Sequence, residues 1–270
     1  MTRRLRRSAA FGATVAMLAG AATLIGQRQF FGGYEREPAI SNPAYDGRFT
    51  FARLKYVSGP GGYYYRGLPA WAHGYVPGGG GNEAELSLMK IMNELSYLNP
   101  HADKGVVLTL DDPELFKYPV AYMTEAGFWT MNDKEEAAFR SYLLKGGFVI
   151  FDDFRSDSRG GGGWANFEAN MRRLIPNGRF IDMQATHAIF HSFFEIDSLD
   201  IIPQAYNAGR PYFRGVFEDN DRRKPLQMII NYNTDISQFW EWSSVGLRSI
   251  EQTNEAYKLG VNYIIYGMTH

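Results

Sequence analysis

Cysteine is absent from the 270 residues of this chain. Its absence excludes disulfide bonds, thiolate ligands for metals and every reaction that needs a thiol nucleophile. The sequence also contains no Gly-x-Ser-x-Gly pattern, so nothing supports a serine nucleophile at a strand-to-helix elbow. Hydrophobic residues make up 45% and charged residues 21% of the chain. This apolar share is enough to build an ordinary core without disulfide bonds.

A concentration of basic residues is missing from the body of the chain. The first 21 residues contain four arginines and no acid, and removing them changes the formal net charge from −1 to −5. A mildly acidic domain without a Lys/Arg stripe lacks the electrostatic surface that a phosphate backbone requires. We therefore expect no nucleic-acid partner.

The N-terminus has a basic head followed by an uncharged run. Met1–Ser8 holds the four arginines, and Ala9–Gly26 contains eighteen residues without a charge. Such a pattern is typical of an export signal, and eighteen uncharged residues also reach the lower limit for crossing a bilayer. We predict a signal peptide or membrane anchor over residues 1–27. The rest of the chain is then periplasmic or otherwise extracytoplasmic, and it is held at the inner membrane through residues 9–26 if the signal is not cleaved.

Residues 28–48 contain three glycines and two prolines and predict an irregular linker, which leaves residues 49–270 as a single domain. In that domain, apolar runs alternate with helical patterns. The predicted strands are Phe49–Tyr56, Val106–Leu110, Val120–Met123, Phe148–Phe151, Phe180–Met183 and Met228–Asn231. Helices are expected to begin after Asn82 and Asn132, while Glu255–Met268 fits either a helix or a strand. The alternation predicts an α/β fold with an open, mostly parallel sheet and helices on both faces.

Several fragments in a fixed order resemble a bacterial family, domain of unknown function 4159. The fragments include Phe49-x-x-x-Arg53-Leu54-x-Tyr56, Gly146-Gly147-Phe148 leading to Asp152-Asp153, His187-x-Ile189-Phe190, and Asn231-Tyr232-Asn233-x-Asp235. The resemblance implies an envelope-associated domain with a class I glutamine amidotransferase-like fold, encoded in that family near ATPase and von Willebrand-type partners. Amidotransferase chemistry needs the missing thiol, so we exclude cysteine-dependent glutaminase activity.

Carboxylates follow several of the predicted strands. Asp152 and Asp153 end one strand, and Asp235 follows another. Ligands of open α/β sheets bind at the carboxyl ends of the strands, so we expect these aspartates to converge there with His187. Arg155 is the candidate for neutralising them, and a bound divalent cation is an alternative. The competing interpretation is that the carboxylates only cap loops and helix N-termini.

A second candidate site is a loop rich in glycine and aromatic residues. Between Gly59 and Gly81 nine glycines are interspersed with aromatic side chains, of which we single out Tyr63, Tyr64, Tyr65, Trp71 and Tyr75. The rings could stack on a glycan or a partner protein, or they could pack on their own domain.

Two functions follow from these patterns. The first is a non-catalytic binding or accessory domain of the cell envelope that holds a protein or a glycan. The alternative is a metal-assisted hydrolase or carbohydrate-acting enzyme that uses the strand-end Asp/His cluster. Carboxylates within about 5 Å of one another in a concave site would favour metal binding or chemistry, whereas scattered caps would favour the first function.

The N-terminal pattern generates a prediction about topology. Alkaline phosphatase fused after His270 should be active, and a fluorescent protein that folds only in the cytoplasm should be dark at the same position. Deleting residues 1–26 should reverse both signals. A bright fluorescent fusion with silent phosphatase on the full chain would contradict the predicted export.

Overall fold

The computed structural model describes residues 38, 40–59, 68–75, 82–153, 163–200 and 210–270. The predicted signal or anchor at residues 1–27 lies outside these ranges, as does part of the predicted linker. Within the described ranges, no helix is both long enough and apolar enough to cross a membrane.

Seven strands form one mostly parallel sheet, and two short strands pair separately. The strands are β1 (Ala52–Lys55), β2 (Val57–Ser58), β3 (Val106–Thr109), β4 (Val120–Thr124), β5 (Trp129–Thr130), β6 (Phe148–Asp152), β7 (Ile181–Asp182), β8 (Tyr212–Phe217) and β9 (Leu226–Tyr232). The order in the large sheet is β3-β1-β4-β6-β9-β8-β7, and β2 pairs with β5. All pairs from β3 to β9 are parallel, while β8 and β7 add an antiparallel edge. The predicted α/β fold with a mostly parallel sheet is confirmed. Strand β8 was not predicted, because its residues alternate poorly between apolar and polar.

Five α-helices accompany the sheet in the described part of the chain. They are α1 (Glu83–Leu95), α2 (Asp133–Leu144), α3 (Gly163–Leu174), α4 (Ile236–Glu241) and α5 (Ile250–Thr269). Asn82, Asn132, Asp235 and Ser249 each accept a backbone N–H with their side chain at a helix start. The C-terminal segment of mixed propensity is helical, because Ala256, Leu259 and Tyr263 then share one face against the sheet.

The helices cover both faces of the sheet. Val149 and Phe151 of β6 face the core that contains α2 and α3, while Phe148 and Ile150 face the core that contains α1, α4 and α5. All five residues of β6 are buried, as expected for the centre of a parallel sheet. A polar residue in this strand must therefore find its partners inside the protein.

Three neighbouring parallel strands end on a strained residue at the same edge of the sheet. β4, β6 and β9 are followed directly by Glu125 (φ 50°), Asp153 (φ 59°) and Asn233 (φ 56°). Non-glycine residues rarely adopt this left-handed conformation, and such strain concentrates at functional sites. We call this the carboxyl edge, because the carboxyl ends of β4, β6 and β9 meet there.

The burial of β6 generates a stability prediction. Phe151 is fully buried between Trp129 and Phe167, so Phe151→Ala should lower the free energy of unfolding by about 3–5 kcal/mol. Leu144 is 74% exposed, and Leu144→Ala should change it by no more than about 0.5 kcal/mol. Denaturant unfolding of the two variants measures both values. Equal losses of stability would contradict the buried position of β6.

Candidate functional site

Asp153 lies at the carboxyl edge immediately after β6, with its side chain 1% exposed. One carboxylate oxygen, Oδ2, is 2.8 Å from Nδ1 of His73. Within the described part of the chain, the other oxygen, Oδ1, is buried without any hydrogen-bond partner. Buried polar atoms are almost always paired, so an unpaired carboxylate oxygen requires an explanation, of which a bound ion is one.

His73 reaches Asp153 from a loop that follows a short 3-10 helix, Ala70–Ala72. The backbone carbonyl of His73 accepts hydrogen bonds from Nη1 of Arg53 (2.9 Å) and from Nδ2 of Asn82 (2.7 Å). The next residue, Gly74, has a φ of 84°, and a Cβ there would overlap the Asn82 amide. Only glycine fits that turn. The His73 ring is 13% exposed, so it lies where a site can meet solvent.

Arg53 of β1 fixes this loop from inside the core. Its Nε donates to Glu85 of α1 at 2.5 Å, and its Nη1 also donates to the carbonyl of Trp71 at 2.8 Å. Both charged side chains are buried. Burial works against the charge of Arg53, but Glu85 and the tyrosines at positions 75 and 122 raise its pKa above the ordinary value. Glu85 stands three residues after the N-cap Asn82, at the position of a capping-box glutamate, but its side chain turns inward to Arg53 instead.

Glu125 places a second carboxylate beside His73. Its Oε1 lies 3.6 Å from His73 Nδ1, and its side chain is buried. The backbone is held on both sides, because its N–H donates to the carbonyl of Asp152 (3.1 Å) and its own carbonyl accepts from the Tyr56 hydroxyl (2.8 Å). One ligand atom from each of His73, Glu125 and Asp153 lies within 4.8 Å of the other two. We call these three residues the His73 cluster.

Asp152 is fully buried and points away from the His73 cluster. Its oxygens accept the Tyr122 hydroxyl (3.0 Å), Nδ2 of Asn231 (3.1 Å), and the backbone N–H groups of Ile236 (3.3 Å) and Ser237 (3.0 Å). Burial and the nearby charge of Asp153 raise the pKa of Asp152 to about 6. Since both oxygens are engaged, Asp152 connects β4, β6 and β9 with the start of α4 rather than offering a ligand atom.

Asp235 is the N-cap of α4. Its Oδ1 accepts the N–H of Gln238 (2.9 Å) and the hydroxyl of Ser237 (2.8 Å). Burial and the charges of Asp153 and Asp152 raise the pKa of Asp235 well above the usual range for a carboxyl. The capping role that the sequence left open therefore holds for Asp235, which also adds negative potential to the His73 cluster.

Among the described residues, the carboxyl edge holds more buried carboxyl groups than cationic groups. The carboxyls of Glu125, Asp153 and Asp235 act on the His73 imidazole, and that of Asp152 is buried beside them. Burial disfavours the charged form of His73, but its hydrogen bond to Asp153 and the charges of Asp153, Asp235 and Glu125 outweigh burial and raise its pKa to about 9. The raised pKa values of Asp152 and Asp235 show that protonation relieves part of this excess, and a bound cation would instead stabilise the ionised carboxylates.

His187 does not join the aspartates, so that part of the predicted site is wrong. Its ring contacts Phe217 and Tyr266. The Tyr266 hydroxyl accepts the N–H of Leu226, the first residue of β9, so His187 lies at the amino edge of the sheet. Burial lowers the pKa of His187, as expected for an imidazole in an apolar environment. The proposed neutralising residue, Arg155, lies outside the described residues.

The described aromatic residues of the glycine-rich loop pack on their own domain. Trp71 is fully buried, and Tyr75 lies edge-on against it with the Arg53 guanidinium 5.3 Å from its ring centre. These two rings therefore help to hold the His73 loop against the domain. The other three loop residues that we singled out, Tyr63, Tyr64 and Tyr65, lie outside the described residues.

Sequence reasoning missed two of the three cluster residues. Glu125 follows β4 as Asp153 follows β6, so the strand-end argument applied to Val120–Met123 would have found it. His73 had no comparable signal, because it belongs to no periodic segment and the surrounding loop was considered only for its aromatic residues.

The buried ion pair generates a prediction about the loop that holds His73. Arg53→Ala should lower the free energy of unfolding by about 3–5 kcal/mol, because it leaves the Glu85 carboxylate buried without its partner. The double variant Arg53→Met with Glu85→Leu should be more stable than Arg53→Ala. Arg172→Ala, which breaks an exposed pair with Glu168, should cost no more than about 0.5 kcal/mol. Denaturant unfolding measures the free energy of unfolding of each variant. If Arg53→Ala hardly changes that free energy, the buried ion pair is contradicted.

The chain is similar to one family of known proteins. A family model described as "Domain of unknown function (DUF4159)" matches residues 78–268. No curated protein matches the chain. The match spans α1 to α5 and includes Glu125 and Asp153, while His73 precedes it.

Proposed function

Because this chain belongs to the family of domain of unknown function 4159, whose description names no activity, we propose a function from the site itself. The chain is an envelope-located accessory domain that binds a divalent cation at the carboxyl edge of its sheet. The His73 cluster supplies the ligand atoms, and Asp152 and Asp235 supply additional negative potential.

One observation supports cation binding above the others. Asp153 is buried and strained, its Oδ1 has no partner among the described residues, and its Oδ2 faces His73 and Glu125. A carboxylate that only capped a loop would use its oxygens on backbone N–H groups, as Asp152 and Asp235 do. Asp153 makes no such bond within the described residues. Its free oxygen is therefore available to a cation.

The envelope location and the finer fold class belong to the same proposal. The location is supported by the arginine head and the uncharged run of residues 9–26. The class I glutamine amidotransferase-like fold is consistent with the parallel centre of the sheet and with a left-handed residue directly after the buried strand β6. The partner held by the domain in the envelope is a protein or a glycan.

Metal-assisted hydrolysis is the second candidate function. It is favoured by the number of ligands, since three protein ligands leave a coordination position for water, as in catalytic zinc sites. The test is turnover of a panel of model carboxyl and phosphoryl esters by the cation-loaded chain. Turnover that disappears in Asp153→Asn would establish the enzyme, and no turnover above the metal-free chain would leave the binding role.

Cation binding generates a prediction for thermal unfolding. After chelator treatment, a saturating divalent ion should stabilise the full-length chain, by about 2.7 kcal/mol at a free concentration one hundred times the Kd. Asp153→Asn should lose the ion-dependent gain while remaining folded, because it keeps the size of the side chain and removes its charge. Differential scanning calorimetry with Mg²⁺, Ca²⁺, Mn²⁺ and Zn²⁺ in turn measures the gain.

Asp182→Asn is the matched control. Asp182 is an exposed aspartate that pairs with Arg214, and it lies on the edge strand β7, three strands away from β6. This variant should keep the full ion-dependent gain. If no divalent ion stabilises the parent chain, or if Asp153→Asn responds like the parent, the carboxyl edge is not a cation site.

A further inference from the structure

We infer that the His73 cluster selects a borderline transition metal ion, with Zn²⁺ as the reference, over Mg²⁺ and Ca²⁺. The ion is bound by Nδ1 of His73 and one carboxylate oxygen from each of Asp153 and Glu125, with a solvent molecule at an open position. The inference rests on the proposed function and names its ligand.

The ligand atoms favour this class of ion. Imidazole nitrogen suits Zn²⁺ and similar ions, whereas Mg²⁺ and Ca²⁺ take oxygen ligands. Ca²⁺ usually collects about six to eight oxygens. The His73 cluster offers one nitrogen and two carboxylates, and both oxygens of Asp152 and Oδ1 of Asp235 already accept hydrogen bonds. Even with both oxygens of each carboxylate counted, the cluster supplies fewer protein oxygens than Ca²⁺ usually collects.

The spacing of the ligand atoms fits a small ion. Two ligands at about 2.1 Å from one tetrahedral ion lie about 3.4 Å apart. The observed separations from His73 Nδ1 are 2.8 Å to Asp153 and 3.6 Å to Glu125, which bracket that value. The two carboxylate oxygens lie at most 4.8 Å apart, so binding would draw them together by no more than about 1.4 Å. Bond lengths typical of Zn²⁺ thus require shifts of only a few tenths of an ångström around His73.

The backbones that bear the ligands are fixed before any ion arrives. The His73 carbonyl is held by Arg53 and Asn82. The backbone of Glu125 is held by Asp152 and Tyr56. Asp153 follows the most buried strand of the sheet. Supporting contacts of this kind orient metal ligands and raise affinity, because little order must be gained when the ion binds.

The geometry also indicates an open coordination position. The cluster contributes three protein ligands, one fewer than a closed structural zinc site. Glu125 and Asp153 are buried, whereas the His73 ring is partly exposed, so solvent can approach from the His73 side. A bound ion would hold water there.

Isothermal titration of the chelator-treated full-length chain tests the inference. Zn²⁺ and Co²⁺ should bind one ion per chain, at least about 100-fold more tightly than Mg²⁺ or Ca²⁺. The visible absorption of bound Co²⁺ should have the high intensity of a four-coordinate ion. His73→Ala and the less disruptive His73→Asn should each weaken Zn²⁺ binding at least about 100-fold, with circular dichroism checking that both variants fold.

His191→Ala serves as the control, because His191 is a surface imidazole paired with Glu195. It should bind Zn²⁺ like the parent. Equal or tighter binding of Mg²⁺ or Ca²⁺ at this site would overturn the inference and leave the proposed cation site standing. Unchanged Zn²⁺ affinity in both His73 variants would also overturn it. The absence of binding by any of the four ions would remove the proposed function itself.

Discussion

The centre of this fold depends on one buried carboxylate. Asp152 ends the most buried strand, and its hydrogen bonds reach β4 through Tyr122, β9 through Asn231 and the N-terminus of α4 through two backbone N–H groups. Tyr263 of α5 extends the network by donating to Asn231. A charged group inside a core is tolerable only when such partners surround it. The network in turn fixes where the next residue, Asp153, leaves the sheet.

The two adjacent aspartates therefore have different roles. Asp152 uses both oxygens for hydrogen bonds within the fold. Asp153 keeps one oxygen free of hydrogen bonds within the described chain. The left-handed backbone at Asp153 and at Glu125 turns the chain sharply at the strand ends. This strain costs stability that the buried surroundings must offset, and strain of this kind is retained where geometry matters more than stability.

Much of the scaffold was predictable from sequence, because it rests on local patterns. The apolar run Phe148–Phe151 predicted a central strand, and asparagines at positions 82 and 132 predicted two helix starts. The antiparallel strand β8 gave no such signal, since its pairing with β9 is set by partners distant in sequence. The same limit applied to the site. Strand-end reasoning found Asp153, but nothing local distinguished His73 from His187, whose surroundings are decided by tertiary packing.

The separation of the cluster residues along the chain has a kinetic consequence. His73 and Asp153 are 80 residues apart, and the Arg53 and Glu85 pair that supports His73 joins residues 32 positions apart, in a segment that contains His73. Contacts of this range form late, after the loop-closure entropy of the intervening strands has been overcome. A nascent or partly unfolded chain can therefore contain every ligand residue and still have no site. Occupancy of the cluster by an ion would therefore report that the central parallel pairing is complete.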